Sequence, residues 1–137
     1  MSDLSNLIER VSAATGPDRE IDGLVCKLAD PTEWQRCRRR AAEPSGAPEA
    51  AVEREAPFYA KYYTSSLDAV VSLVERELPG WDWDVGFHHA GPFAYANLEP
   101  GGTLAPAVGI FSGEAKTPAI ALLLAFLRAK HTPRAGG

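Results

Sequence analysis

The longest apolar stretch of the chain constrains its fold more than any other feature. From Ala119 to Leu127 the sequence contains no polar residue, and alanine and leucine, which have high helix propensity, dominate the run. Thr117 suits the N-cap position and Pro118 the first turn, where the missing N–H of proline costs nothing. The run is well short of the roughly 20 residues that a membrane span requires. A helix that is apolar on all sides must be covered, so we expect it to form the centre of the fold.

The composition is typical of a globular chain of one domain. There are 137 residues, of which 45% are hydrophobic, enough to build a core. The formal net charge of -4 argues against general nucleic-acid binding, which needs a basic face. Cys26 and Cys37 fit no zinc pattern and are too few for a disulfide scaffold, so we expect reduced, packed thiols in a cytoplasm. The first residues lack the features of a signal peptide, and we expect no membrane contact.

Hydrophobic spacing predicts three amphipathic helices before the central strands. Apolar residues recur every three or four positions in each of these segments. We expect Gly16 to end the first helix, Pro17 to open the second, and Ser65 to begin the third. The predicted helices cover about residues 3–14, 17–28 and 65–78.

The pattern weakens between residues 31 and 57. Asp30 and Pro31 can cap and open another helix, and residues 49–55 can form one or two helical turns. A stretch with Pro44, Gly46 and Pro48 lies between them and indicates an exposed loop. We therefore predict a surface insertion over 31–57 within a single domain that covers 1–137.

Strict alternation predicts a β-hairpin after the third helix. Over residues 81–88 aromatic and apolar side chains alternate with aspartate, glycine and histidine, as in a strand with one buried face. Residues 93–98 form the returning strand, and 104–111 a third strand that Pro106 confines to an edge. The order of elements predicts an α+β domain in which a small antiparallel sheet of about three strands packs with helices in an α/β/α sandwich.

Five stretches of the sequence stand out as a set: residues 7–11, 14–22, 63–69, 115–122 and 127–130. Taken together they resemble the phage ABA sandwich domain of small phage and prophage proteins, and Trp81 and Trp83 lie where that family also has tryptophans. The resemblance implies an α/β/α sandwich, a phage or prophage origin and a location in the bacterial cytoplasm. It supplies no catalytic residue, binding residue or cofactor, and the predicted insertion departs from the family pattern.

A basic run in the predicted insertion is one candidate binding element. The planar guanidinium fits phosphate and carboxylate groups, so the run suits a nucleotide or an acidic protein face. The plainer interpretation is a solvated helix end whose arginines offset the nearby Glu33 and Glu43. The run consists of Arg36, Arg38, Arg39 and Arg40.

Aromatic residues are concentrated in the middle of the chain, where they offer a second candidate. Trp81 and Trp83 are most simply explained by the core. The segment from Phe58 to Tyr63 is less easily explained that way, and we predict a short strand or extended arm that serves as a protein interface. Its candidate binding residues are Phe58, Tyr59, Tyr62 and Tyr63.

Two adjacent histidines, His88 and His89, stand beside the predicted hairpin turn. His88 shares one strand face with Asp82 and Asp84, so a metal or acid–base site can be drawn there. The polar face of a sheet carries such residues without any function, however. We therefore list the histidines as candidate binding residues and predict no catalytic residue, metal or cofactor.

Three functional hypotheses remain open. The first is a non-enzymatic phage accessory protein that binds a host bacterial protein and inhibits a defence or another host process. The second is a homo-oligomer that sequesters a nucleotide-type small molecule between its arginines and aromatics. The third is a metal-dependent hydrolase that uses Asp82, Asp84 and His88. We favour the first because the chain is small, lacks a catalytic set, and places an aromatic segment beside a basic helix.

Overall fold

The computed structural model describes residues 2–43, 46–88, 93–101 and 109–131. Within them, six α-helices and one three-stranded antiparallel sheet confirm the predicted α+β class. A 3-10 turn over Ala56–Tyr59 precedes the fifth helix, and no described helix is both long and apolar enough to cross a membrane. The elements are α1 (Asp3–Ala13), α2 (Arg19–Ala29), α3 (Pro31–Ala41), α4 (Glu49–Glu55), α5 (Leu67–Glu77), β1 (Asp82–Phe87), β2 (Ala94–Glu99), β3 (Phe111–Ala115) and α6 (Pro118–His131).

Helix α6 is the centre of the fold, as its sequence predicts. Every side chain from Ala119 to Leu127 is buried. The helix packs against β2 and β3 on one side and against α1 and α5 on the other. Its first turn is capped as expected, because the Thr117 hydroxyl accepts a hydrogen bond from the Ile120 N–H at 3.3 Å. The layers therefore run from the sheet through α6 to the outer helices.

The sheet has the order β1–β2–β3, and its register follows the predicted alternation. Trp83 lies opposite Leu98 and Val85 opposite Ala96, so the apolar side chains of β1 share the face that α6 covers. That coverage is partial, since α6 lies mainly against β2 and β3. Trp83 and Phe87 remain 37% and 63% exposed. The predicted burial of Trp83 in the core is therefore only partly realised.

Among the described residues, a third strand lies later in the chain than the predicted segment. The structure places it at Phe111–Ala115, whereas most of the predicted 104–111 segment lies outside the described residues. The Ser-Gly-Glu sequence within β3 is typical of a turn. Here, however, Gly113 lies within the strand and lets β3 pack closely against α6. A methyl group on Gly113 would overlap the carbonyl oxygen of Ala121 and lie 3.0 Å from the Ala125 nitrogen. The glycine lets the strand backbone touch the helix backbone.

Residues 31–57, predicted to be a surface insertion, contribute to the core. Cys37 and Ala41 of α3 and Val52 of α4 are buried. Arg38 of α3 forms ion pairs with two glutamates of α4. The pair of helices packs on the 3-10 turn, and α3 also packs on α2.

The helix ends differ from the predicted positions by one or two residues. Helix α2 begins after Pro17, because the Asp18 carboxylate accepts hydrogen bonds from the N–H groups of Glu20 and Ile21 at 2.9 and 3.2 Å. Helix α5 is capped by Ser66, whose hydroxyl accepts from the Ala69 N–H at 3.2 Å, and not by the preceding serine. In both helices the first residue is set by the side-chain oxygen that accepts hydrogen bonds from the N–H groups of the first turn.

Gly113→Ala tests the close approach of β3 and α6. We expect this substitution to destabilise the protein by about 1–3 kcal/mol, because the added methyl must displace helix backbone. Gly16→Ala is the matched control, since nothing lies within 4 Å of its added methyl and its backbone is outside the left-handed region. The control should leave stability unchanged or raise it by up to about 1 kcal/mol. Urea unfolding of both variants measures the difference, and equal stabilities would refute the packing role.

Candidate binding surface

The predicted aromatic segment forms a 3-10 turn followed by irregular chain, and not a strand. Three of its aromatics face solvent, with Phe58, Tyr59 and Tyr62 being 72%, 39% and 60% exposed. The fourth, Tyr63, is fully buried and belongs to the core, so its predicted place at an interface is wrong. We call residues 58–62 the aromatic arm.

Arg19 of α2 holds the aromatic arm in place. Its guanidinium donates hydrogen bonds to the carbonyl oxygens of Phe58, Ala60 and Lys61 at 3.1, 2.9 and 3.2 Å. The same group lies over the Tyr62 ring, 3.9 Å from its centroid. Stacking of this kind is favourable for arginine, whose planar cation is weakly hydrated.

A second arginine completes the support of the arm. Arg36 of α3 donates to the Tyr59 carbonyl at 2.7 Å and is oriented by Glu33, also at 2.7 Å. Four successive carbonyls, from residue 58 to residue 61, therefore accept hydrogen bonds from two guanidinium groups. An irregular segment cannot satisfy its carbonyls through a sheet or helix ladder, so these side chains replace that ladder. The arm is consequently anchored while its aromatic side chains stay exposed.

The Arg19 guanidinium is itself positioned by a buried carboxylate. Asp22 is buried in α2 and accepts from Arg19 at 3.0 Å through one oxygen. Its other oxygen accepts from the N–H and the hydroxyl of Thr64, both at 2.8 Å. Thr64 is also buried, and its hydroxyl oxygen accepts from the Asp18 N–H at 2.8 Å. This network ties both ends of the arm to α2.

A shallow groove of about 440 Å³ runs between α2 and the start of the arm. Its apolar wall includes Leu24, Pro57 and Phe58. Gly23 lies directly under Pro57, and a methyl group on that glycine would come within 2.8 Å of the Pro57 Cβ. The absence of a side chain at this position therefore lets the arm sit close to α2. The charged residues lining the groove are Arg19, Glu20, Lys27 and Arg54.

A second buried polar cluster lies behind the arm. The Tyr63 hydroxyl donates to the carboxylate of Asp30, which also accepts from Arg76 of α5 at 2.7 Å. Asp30 is fully buried, and its side chain makes no cap bond to α3, although it occupies the predicted N-cap position. Burial raises the pKa of the Tyr63 phenol above its usual range, and the hydrogen bond to Asp30 raises it further.

The two cysteines face each other beside this cluster. The sulfur atoms of Cys26 and Cys37 are 3.7 Å apart, and both residues are fully buried. Burial raises the pKa of both thiols, and for Cys26 the neighbouring thiol adds to the effect. A thiol of raised pKa is a poor nucleophile at neutral pH, which agrees with the predicted packing role.

The arginines of the predicted basic run contact different partners. Besides Arg36, which supports the arm, Arg38 pairs with Glu49 and Glu53, and Arg40 lies 3.6 Å from Glu43. Arg40 also lies 5.7 Å from the centroid of the Tyr59 ring. Arg39 is exposed and pairs with no other described residue. The structure thus distributes these guanidinium groups among carboxylates and the arm and does not gather them around one pocket.

His88, one of the candidate binding residues, contacts a residue of another strand and not Asp82 or Asp84. His88 Nε2 lies 3.1 Å from a carboxylate oxygen of Glu114 on β3, and the imidazole lies 5.3 Å from the Tyr95 ring. His89 lies outside the described residues. Asp82 and Asp84 line a separate shallow groove on the outer sheet face. In the part of the chain that the structure describes, no three histidine, cysteine or carboxylate side chains could hold a metal ion.

Sequence reasoning missed the residues that hold the arm. Arg19 contacts carbonyls about 40 residues away, the Asp22–Thr64 separation is 42 residues, and the Tyr63–Asp30 separation is 33. Local periodicity does not report such pairs. One signal was present: Asp22 lies three residues before Val25, on the side of α2 that is buried.

Comparisons with protein-family models, with curated proteins and with solved structures returned no match. The resemblance to the phage ABA sandwich domain therefore stays a prediction from the sequence.

Tyr63→Phe tests the buried cluster. We expect it to lower the free energy of unfolding by about 1–3 kcal/mol, because it removes a hydrogen bond to a buried carboxylate. Tyr62→Phe is the matched control one position earlier, where the hydroxyl bonds no described residue, and it should change stability by less than about 0.5 kcal/mol. Chemical denaturation measures both, and two equal values would show that the Asp30 contact contributes nothing.

The raised pKa values predict a loss of stability in alkali. Below about pH 8.5 the thiols and the phenol are protonated in both folded and unfolded chains, so they add no pH dependence. Above that pH the unfolded chain loses these protons and the folded chain retains them, so stability falls as pH rises. Each group contributes up to about 1.4 kcal/mol per pH unit.

Urea unfolding between pH 7 and pH 10.5 measures this loss. The double variant Cys26→Ala/Cys37→Ala serves as the control, since it lacks both thiols. Its stability should be lower at neutral pH but should fall less steeply above pH 8.5. Parallel curves for the two proteins would contradict protonated thiols in the folded state.

Proposed function

We propose that this chain is a non-enzymatic binding module that recognises a host bacterial protein through its aromatic arm. The observation that carries the proposal is the exposure of Phe58, Tyr59 and Tyr62 on a segment whose carbonyls are held by two guanidinium groups. Exposed tyrosine and phenylalanine side chains bury large areas on binding and are enriched among the residues that dominate interface energies. An arm that is already ordered loses little conformational entropy when a partner binds.

The groove beside the arm defines the chemistry of the partner. Three cationic side chains line it, with one acidic side chain among them. Lys27 is 3.7 Å from Glu53, and Arg54 is 3.8 Å from Glu55. All four side chains are exposed, so these ion pairs are weak. A partner that inserts an apolar side chain against Phe58 and presents carboxylates to the rim would complement both features.

The resemblance to small phage proteins supports the class of partner and the place of action. A phage protein expressed in the bacterial cytoplasm meets host proteins there, and a module without chemistry of its own acts by occupying a surface. We therefore propose inhibition of a bacterial defence or another host process as the consequence of binding.

Substitution of the arm aromatics tests the proposal. We expect Phe58→Ser/Tyr62→Ser to weaken partner binding at least about 30-fold, the effect of losing about 2 kcal/mol at an interface anchor. Stability should fall by no more than about 1 kcal/mol, because both side chains are exposed and the variant loses the exposed stack of Arg19 on Tyr62. Ile110→Ser is the matched control, since Ile110 is 61% exposed and lies next to β3, outside the arm.

The measurement pairs capture from a bacterial lysate with titration of the purified partner. The proposal expects one stoichiometric protein that the wild-type and the Ile110 variant retain and the double variant loses. Gly23→Ala offers a second route, because its methyl displaces Pro57 and moves the arm without altering any aromatic side chain. Equal binding by all four proteins would overturn the role of the arm.

A further inference from the structure

Strand β1 is an edge of the sheet, and no described residue pairs with its second side. Among the described residues its only strand partner is β2. The His88 N–H donates to the Phe93 carbonyl at 3.1 Å in the same register, so even-numbered residues of β1 bond to β2. The N–H and C=O groups of Trp83, Val85 and Phe87 therefore point away from the sheet. An edge of this kind is a template for another strand.

The side chains along this edge are self-complementary. If two copies of β1 pair antiparallel with Val85 opposite Val85, each Trp83 lies opposite Phe87 of the second copy. These are the two partly exposed aromatics on the inner face of the strand. Aromatic cross-strand pairs stabilise antiparallel sheets. The outward-pointing N–H and C=O groups of Trp83, Val85 and Phe87 in each copy supply every backbone hydrogen bond that the pairing needs.

The polar face of the strand matches in the same register. Asp82 lies opposite His88 of the second copy, and Asp84 lies opposite Gly86. The histidine, which already contacts Glu114 of its own chain, thus faces a second carboxylate across the interface, and no two like charges face each other directly. Like charges directly opposite each other across two strands are unfavourable, and this register avoids them.

Neighbouring registers fit less well. Centring the pair on Asp84 places two aspartates directly opposite each other. It also requires the Trp81 N–H, which already donates to the Leu78 carbonyl at 3.2 Å. Centring the pair on Gly86 leaves Trp83 beyond the end of the partner strand. The register centred on Val85 is therefore the one that fills both faces.

We infer that two copies of this chain associate through β1 to form a continuous six-stranded antiparallel sheet about a two-fold axis at Val85. The contact is isologous, as most homodimer contacts are. A single pair of short strands buries less area than standard stable interfaces, so the dimer forms reversibly and depends on concentration. The inference does not rest on the proposed function, because the aromatic arm lies on a different element.

Single cysteines placed along β1 test both the dimer and its register. The Cα atoms of a hydrogen-bonded antiparallel pair are about 5.5 Å apart, within the range that a disulfide spans. Val85→Cys should therefore form an intermolecular disulfide, with oxidised glutathione accepting the two electrons and leaving as two thiols. Phe87→Cys is the matched control. Position 87 is more exposed than position 85, but it lies opposite Trp83 of the second copy, so two cysteines at position 87 do not face each other. Asp84→Cys reports the competing register.

We expect Val85→Cys to cross-link at least tenfold faster than either of the other variants, and the native protein not at all, since its own thiols are buried. Sedimentation equilibrium of the wild-type chain should show a mass that rises with concentration. Phe87→Lys, at an exposed position, should weaken that association at least tenfold and leave the melting temperature of the dilute, monomeric protein unchanged. A monomer mass at every concentration, or equal cross-linking at the three positions, would overturn the inference.

Discussion

The burial of α6 is the constraint on which the rest of the structure depends. A helix that is apolar from Ala119 to Leu127 cannot present any side to water, so it requires a layer on each side. The sheet supplies one layer, and Gly113 brings its backbone into contact with the helix. Helices α1 and α5 supply the other layer. The remaining helices attach to these outer elements and to the 3-10 turn.

Helices α2 and α3 lie farther from this centre, and buried polar contacts position them together with their apolar side chains. Asp22 and Asp30 are buried carboxylates, and each is satisfied by partners from distant parts of the chain. A buried charge is costly unless it is paired, so such contacts add less to stability than to the choice of one arrangement. That arrangement places the segment from Tyr63 to Thr64 against the helices and leaves the preceding residues 58–62 at the surface. The exposed aromatic arm is thus a consequence of the buried network behind it.

Much of this architecture could be predicted from local sequence patterns. The central helix and its Thr117 cap, the start of α3 at Pro31, and the facing of β1 all follow from periodicity and capping chemistry. The position of β3 could not be predicted, because Gly113 is typical of a turn and its role appears only when a helix packs on it. Tyr62 and Tyr63 illustrate the same limit at the candidate site. They are adjacent and chemically identical, and only their distant partners, Arg19 and Asp30, decide which one is exposed.

The most direct test concerns the rigidity of the aromatic arm, measured by NMR relaxation of its backbone amides. If the guanidinium groups hold the arm as described, residues 58–62 should show order parameters near 0.85, as in the helices. Arg19→Lys should lower them, because lysine cannot bond three carbonyls and stack on Tyr62 at once. Order parameters below about 0.6 in the wild-type protein would contradict an arm that is ordered before its partner binds.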